Sequence, residues 1–232
     1  LHCINVLTTM KKNIVLFVLF ILPIVAYLFF ASGINSFAKL PTITEKIPDL
    51  QWKTADGKSV SLDNKITILG FTGSKVIYNE GNFFNLNQKI YNKNKNFKDF
   101  QFVMVAPKGS EGEVKELLGK LKPIAEDKDI SKWIFVFAAP EEIREYYSKL
   151  NLVGKLDENT GTANVYIVDK LRNLRGRKGE NLEGKQEYKE GYNTISAADL
   201  HNEMSDDVKI ILYEYRAALK KNNPKTEMKR KI

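Results

Sequence analysis

The sequence predicts an α/β fold: a mixed β-sheet flanked by helices, with an N-terminal β-hairpin and a single N-terminal transmembrane helix. Short β-branched and aromatic runs alternate with amphipathic stretches of helical period, which is typical of a sheet covered by helices. An Asp56-Gly57 pair lies inside an alternating segment, which indicates a tight hairpin. Residues 14–31 are apolar throughout. At about 1.5 Å per residue they extend about 27 Å, close to the roughly 30 Å of a bilayer core.

Each helix and strand is predicted from the residues within or next to it. Strands are predicted where β-branched or aromatic residues run together, and helices where apolar residues recur every three or four positions. Pro123 is expected to end the second helix. Pro140 is expected to begin the third, because proline fits a first helical turn. Ser205 is expected to cap the last helix. In chain order the elements are a hairpin over 50–62, a strand over 65–71, a helix over 80–92, a strand over 100–106, a helix over 109–122, a strand over 133–138, a helix over 140–150, a strand over 163–169, a strand beginning at 174–177, a hairpin loop over 179–191 and a helix over 205–221.

The chain divides into five predicted segments. Met10 is a more natural start than Leu1, so residues 1–9 are expected to be an upstream extension. Residues 10–33 are predicted to be a transmembrane anchor, with Lys11 and Lys12 on the cytoplasmic side. A cleaved signal peptide, with a cleavage site at Ala31-Ser32-Gly33, is the alternative. The other segments are a tether over 34–46, the folded domain over 47–222 and a basic disordered tail over 223–232.

Composition narrows the possible chemistry. The chain has a net charge of +8, one cysteine and two histidines. Because Cys3 is the only cysteine, no disulfide can form within the chain. The histidines, His2 and His201, are both distant in sequence from the loop after the central strand. An extracytoplasmic domain without a base-stacking pattern is not expected to bind nucleic acid.

The loop after the central strand is the predicted functional position. Gly70, Thr72 and Gly73 break the apolar run and open a turn, and a helix follows. The segment Gly70-Phe71-Thr72-Gly73-Ser74-Lys75-Val76-Ile77-Tyr78 resembles the Gly-Phe-Thr-x-Cys-x-x-x-Cys-Pro loop of the SCO/SenC family. Members of that family are membrane-anchored, thioredoxin-fold proteins that serve copper delivery to cytochrome c oxidase. The resemblance covers about residues 47–222 as a pattern of elements, and it implies a thioredoxin-like fold.

The family's three copper ligands are all replaced in this sequence. Aligned on the shared loop, the two family cysteines fall on Ser74 and Tyr78. The family histidine falls within residues 160–163, with Gly161 the closest match. This region also lacks the cis-proline of ordinary thioredoxins, as does the SCO-type branch. Copper sites need thiolate or imidazole donors, and disulfide exchange needs a thiolate, so the resemblance implies a degenerate site.

The leading functional hypothesis is therefore a binding or assembly module rather than an enzyme, with no cofactor. The resemblance implies a single-pass protein of the cytoplasmic (inner) membrane whose domain lies in the periplasm. It further implies an unidentified protein partner, such as a respiratory complex or its assembly factors. The alternative is a copper carrier or an enzyme that uses replacement groups. Its candidates are the loop pair Ser74 and Tyr78, and the pair His201 and Met204, which would share a face of a regular helix.

Four basic residues form the last candidate site. Arg172, Arg175, Arg177 and Lys178 cluster along a predicted strand edge. One interpretation is a patch that binds an anionic partner or lipid headgroups. The other is a charged sheet edge that discourages strand pairing.

Overall fold

The computed structural model describes residues 17–25, 39–181 and 183–221, with the backbone alone for 217–221. The chain forms two compact units, Leu1–Ala38 and Lys39–Ile232. In the first unit, residues 17–25 are helical. Within the described ranges, no helix is long and apolar enough to cross a membrane. The rest of the predicted span over 14–31 lies outside the described residues, as do the predicted extension and tail.

The second unit is built on a mixed sheet in the order β1-β6-β5-β2-β3-β4, with β9 also paired to β5. Strand β2 is parallel to β3, and β3 is parallel to β4, whereas the other pairs are antiparallel. The predicted hairpin loop forms a separate antiparallel ribbon of β7 and β8. The strands are β1 (Thr42–Thr44), β2 (Ile66–Thr72), β3 (Phe100–Pro107), β4 (Trp133–Ala138), β5 (Gly161–Val168), β6 (Leu174–Arg175), β7 (Arg177–Glu180), β8 (Gln186–Lys189) and β9 (Tyr192–Asn193).

Helices cover both faces of this sheet, and the predicted class, a mixed sheet flanked by helices, is confirmed. They are α1 (Glu80–Leu86), a π-helical turn (Asn87–Tyr91), α2 (Asn92–Asn94), α3 (Glu111–Ile124), α4 (Pro140–Ser148), α5 (Ala197–Asp199), a second π-helical turn (Leu200–Met204) and α6 (Ser205–Lys221). Pro123 lies inside the last turn of α3 rather than ending it. The final helical run is capped by Ser196, not Ser205, because the Ser196 hydroxyl accepts the N–H of Asp199 at 3.1 Å.

The predicted N-terminal hairpin is reduced to its turn. The N–H of Gly57 donates to the Thr54 carbonyl at 2.9 Å, and a single antiparallel bridge joins Lys53 to Ser59. Beyond this bridge the arms do not continue as strands, and the carboxylate of Asp49 accepts the N–H groups of both Leu50 and Leu62. Burial alone would raise the pKa of Asp49, but these hydrogen bonds outweigh it and lower the pKa. In addition, residues 42–44 of the predicted tether form β1, which pairs with β6.

The alternation of side chains along the strands divides the core into two layers. In β2, Ile66 and Ile68 face one layer, and Leu69 and Phe71 face the other. The first layer is covered by α1, α3 and α6, and the second by α4 and residues 47–62. With both faces covered, every residue of β2 is buried, so β2 is the rigid centre of the sheet.

Candidate functional site

Strand β2 delivers a short loop onto helix α1, as the sequence predicts. The strand ends at Thr72, and Gly73 takes a φ of +67°, which favours glycine. Ser74 is exposed, Val76 is fully buried, and Tyr78 is 85% exposed immediately before the helix. The buried Val76 anchors the loop. Ser74 and Tyr78 on either side of it, which match the family cysteines, both lie at the surface.

Gly161 lies directly against this loop. A Cβ atom on Gly161 would lie 3.0 Å from both the Cα and the N of Gly73, and a Cβ on Gly73 would lie 3.1 Å from the Cα of Gly161. Thr72 pairs with Gly161 across β2 and β5, just beyond an irregularity in the strand register between Gly70 and Thr72. Backbone atoms cannot give way as a flexible side chain can. A side chain at the position that matches the family's histidine would therefore require the backbone of Gly73 to shift by a few tenths of an ångström.

Residues 157–161 close the remaining side of the loop. The N–H of Ser74 donates to the Asn159 carbonyl at 3.2 Å, and the Ser74 hydroxyl donates to the Asn159 side-chain oxygen at 3.3 Å. Asp157 holds the turn, because its carboxylate accepts the N–H of Gly161 at 2.7 Å. The hydroxyl of Ser74 thus meets an amide rather than a base, and nothing here activates it as a nucleophile. The sequence analysis missed Asn159 and Asp157, although the turn-forming run Asp157-Glu158-Asn159-Thr160-Gly161 was a usable signal.

Several solved structures superpose on this chain. The crystal structure of a SCO1/SenC family lipoprotein from Bacillus anthracis str. Ames superposes with a TM-score of 0.55 at 18% identity, over 75% of this chain and 99% of that one. The chain has a SCO-type thioredoxin fold. BsSco, a member of the Sco family of cytochrome c oxidase assembly proteins, superposes at 0.49 with 16% identity, over 74% and 97% of the two chains. Arabidopsis thaliana ScoI with copper bound superposes at 0.46 with 18% identity, over 71% and 98%. No protein-family model matches the chain, and no curated protein matches it.

The second candidate pair of the SCO-type domain is not brought together. His201 is exposed, whereas Met204 is fully buried in the core. The sequence analysis assumed a regular helix, in which residues three apart share a face. Both residues lie in a π-helical turn, whose wider i→i+5 repeat moves residues three apart onto different sides. Among the described residues, no group of three or more His, Cys, Asp or Glu side chains is placed to hold a metal ion.

Arg175 of the predicted basic patch lies in the interior of the domain. It is 8% exposed, and its guanidinium donates to the buried Asp169 carboxylate at 2.9 Å. It also donates to the Leu40 carbonyl at 2.8 Å and to Glu214 of α6 at 3.1 Å. Arg175 therefore joins the sheet edge to the last helix, and its charge is not available to a partner.

The other three members of the patch differ in their surroundings. Arg177 donates to the buried Asp207 carboxylate of α6 at 2.8 Å, so its charge is also neutralised within the domain. Arg172 is half-buried, and its Nε lies 4.0 Å from an oxygen of Asp63. Lys178 is exposed and makes no ion pair with any residue that the structure describes. Of the four basic residues in the predicted patch, only Arg172 and Lys178 are therefore left to form a surface charge.

A cavity of about 180 Å³ opens beside the loop, and the sequence analysis did not predict it. Its floor includes Phe71 and Met104, and Asn79 and Asn82 lie on the α1 side of its mouth. Ile195 closes another side and is 65% exposed. The loop surface of the SCO-type domain therefore combines an exposed tyrosine, an exposed isoleucine and a small cavity of mixed polarity, which suits contact with another protein.

Proposed function

We propose that this chain is a membrane-anchored, extracytoplasmic SCO-type domain that acts as a binding module in the assembly of a respiratory or other membrane complex. On this proposal it neither carries copper nor exchanges disulfides. The contact between Gly73 and Gly161 supports it most strongly, because a side chain that could act as a third metal ligand would have to displace the backbone there. The exposed Tyr78 and the adjoining cavity supply a docking surface at the position where relatives of this fold keep their metal site.

The proposed membrane location and partner are supported by further observations. The apolar residues 14–31 with Lys11 and Lys12 support a single-pass anchor in the cytoplasmic membrane and a domain on its outer side. The loop resemblance and the SCO-type fold support a role beside copper-delivering relatives. A partner protein is therefore expected to meet the domain through the surface around Tyr78.

A photo-crosslinking amino acid at position 78 of the full chain tests the docking surface. We expect it to capture a specific membrane-protein partner in native membranes, because Tyr78 is 85% exposed at the proposed surface. The matched control is position 171, which is also exposed, at 65%, and follows the opposite end of β5 from Gly161. Equal capture from both positions, or none from position 78, would contradict the proposal.

Titration of the full chain with Cu(I) under reducing conditions, with Cys3→Ser in the parent chain and in every variant so that its thiol cannot bind the ion, tests the loss of metal chemistry. We expect no stoichiometric, tight binding, because Ser74 and Tyr78 supply no thiolate and Met204 is buried away from His201. The Ser74→Cys/Tyr78→Cys double variant, which adds two thiols at exposed positions, is the positive control. Tight stoichiometric binding by the parent chain that disappears in His201→Ala would instead establish the copper-carrier alternative.

A further inference from the structure

A second and larger concavity lies along the edge strand β4. Its volume is about 750 Å³, within the usual range of roughly 300–1,000 Å³ for ligand pockets. Helix α3 contributes Val114 and Leu118 to its lining, and β4 contributes the aromatic side chains Trp133, Phe135 and Phe137. We call it the β4 groove. Its residues belong to the edge of the first core layer and are not part of the loop surface around Tyr78.

The backbone of β4 leaves little for an added strand or a second copy of the chain to pair with. Lys53 already forms an antiparallel bridge with Phe137, whose N–H donates to the Lys53 carbonyl at 3.1 Å. At the other end, the N–H of Trp133 donates to Ile130 at 3.0 Å. Phe135 is then the one edge-facing residue of β4 whose N–H has no partner in the described part of the chain. One residue is too few to hold a strand, so side-chain contacts must dominate any binding in the groove.

Charge at the rim favours an anion. Lys115 lines the groove, and Lys53 adjoins it. Neither makes an ion pair with any carboxylate in the described part of the chain, whereas Lys58 is paired with Asp56 at 2.6 Å. Glu111 also lines the groove, and its carboxylate accepts the N–H of Gly109 at 2.8 Å. The groove thus presents apolar and aromatic walls, and at its edge two ammonium groups without an ion pair outnumber this one carboxylate.

We propose that the β4 groove binds a single-chain anionic amphiphile, of the class of long-chain fatty acids. The acyl chain lies against the aromatic side chains of β4 and the apolar face of α3, and the carboxylate lies at the rim near Lys115 and Lys53. The volume is several times that of the roughly 150 Å³ cavity that holds a benzene molecule, so it accommodates an extended chain. This binding is separate from the proposed assembly function, and either can fail without the other.

Two glycines of α3 provide a matched test. A Cβ on Gly112 and a Cβ on Gly119 would both meet open space, but only Gly112 lines the groove. Gly112→Leu therefore fills the groove without a backbone clash, and Gly119→Leu adds the same side chain elsewhere on the helix. In a Trp52→Phe background, Trp133 reports binding through quenching by a brominated fatty acid. We expect saturable quenching in the full chain reconstituted in phosphatidylcholine nanodiscs, unchanged in Gly119→Leu and weakened about tenfold or more in Gly112→Leu.

A second set of ligands tests the role of charge. Dodecanoate is expected to compete with the brominated probe, and dodecyltrimethylammonium is expected not to, because the rim is basic. Lys115→Gln should weaken dodecanoate binding roughly two- to fivefold, as for a partly exposed ion pair. Quenching that does not saturate, equal loss in both leucine variants or preference for the cationic amphiphile would overturn the proposal. So would competition by an extended apolar peptide that exceeds competition by dodecanoate.

Discussion

Gly161→Ala is expected to lower the free energy of unfolding by about 3 kcal/mol, and Gly161→His is expected to leave little folded protein. The added Cβ would lie 3.0 Å from two backbone atoms of Gly73, so the backbone must shift to accommodate it. A histidine would add a ring to the same closed contact. Urea unfolding of each variant, followed by tryptophan fluorescence, measures the effect.

Gly119→Ala is the control for this prediction. Its Cβ would meet open space on the surface of α3, so the substitution should raise stability by about 0.5–1 kcal/mol through the helix propensity of alanine. A Gly161→Ala variant as stable as the wild type would show that the contact between the two backbones opens readily. In that case the copper-carrier alternative would regain support, because a third ligand could then be accommodated.

The prediction also bears on attempts to restore the family's metal site. Ser74→Cys and Tyr78→Cys are both substitutions of surface residues and are expected to be tolerated. The third change, Gly161→His, requires the backbone of Gly73 to move. We therefore expect the triple variant to fold poorly rather than to regain a complete site.

Arg175→Ala is expected to lower the free energy of unfolding by about 3–5 kcal/mol. The substitution leaves Asp169, which is 1% exposed, without its ion-pair partner, and it removes the contact with Glu214 of α6. The Asp169 carboxylate would keep its hydrogen bonds from Leu171 and Asn173, but a buried carboxylate without a compensating charge is still costly. The measurement is urea unfolding at neutral pH, with the loss of α6 helicity followed in parallel by circular dichroism.

Lys178→Ala is the control for Arg175. Lys178 is exposed and belongs to the same predicted basic patch, so its loss should change stability by no more than about 0.5 kcal/mol. Equal effects of the two substitutions would contradict the division of the patch into an interior pair, Arg175 and Arg177, and an exposed remainder. A large difference would show that the arginines were selected by the fold rather than by an anionic partner.

The order of strands and helices was predictable because each depends on residues close together in the chain. The β-branched run before Gly70 predicted β2, and the helical spacing after Asn79 predicted α1. The loop between them was placed correctly for the same reason. Some predictions failed. The expected hairpin is reduced to its turn, and Asp49 rather than a strand partner accepts the N–H of Leu62. The last helical run is capped by Ser196, nine residues before Ser205, and this cap is a local motif that the sequence analysis did not use.

The sequence by itself determined the alternating α/β architecture, the position of the loop after β2 and the absence of thiols from that loop, since all three are properties of local runs of residues. Only the tertiary structure decided that Gly161 closes on Gly73, that Met204 is buried while His201 is exposed and that Arg175 is paired inside the domain. These outcomes depend on strand register, helical repeat and packing between distant segments. Local composition does not encode such contacts, because they arise only when the sheet brings those segments together.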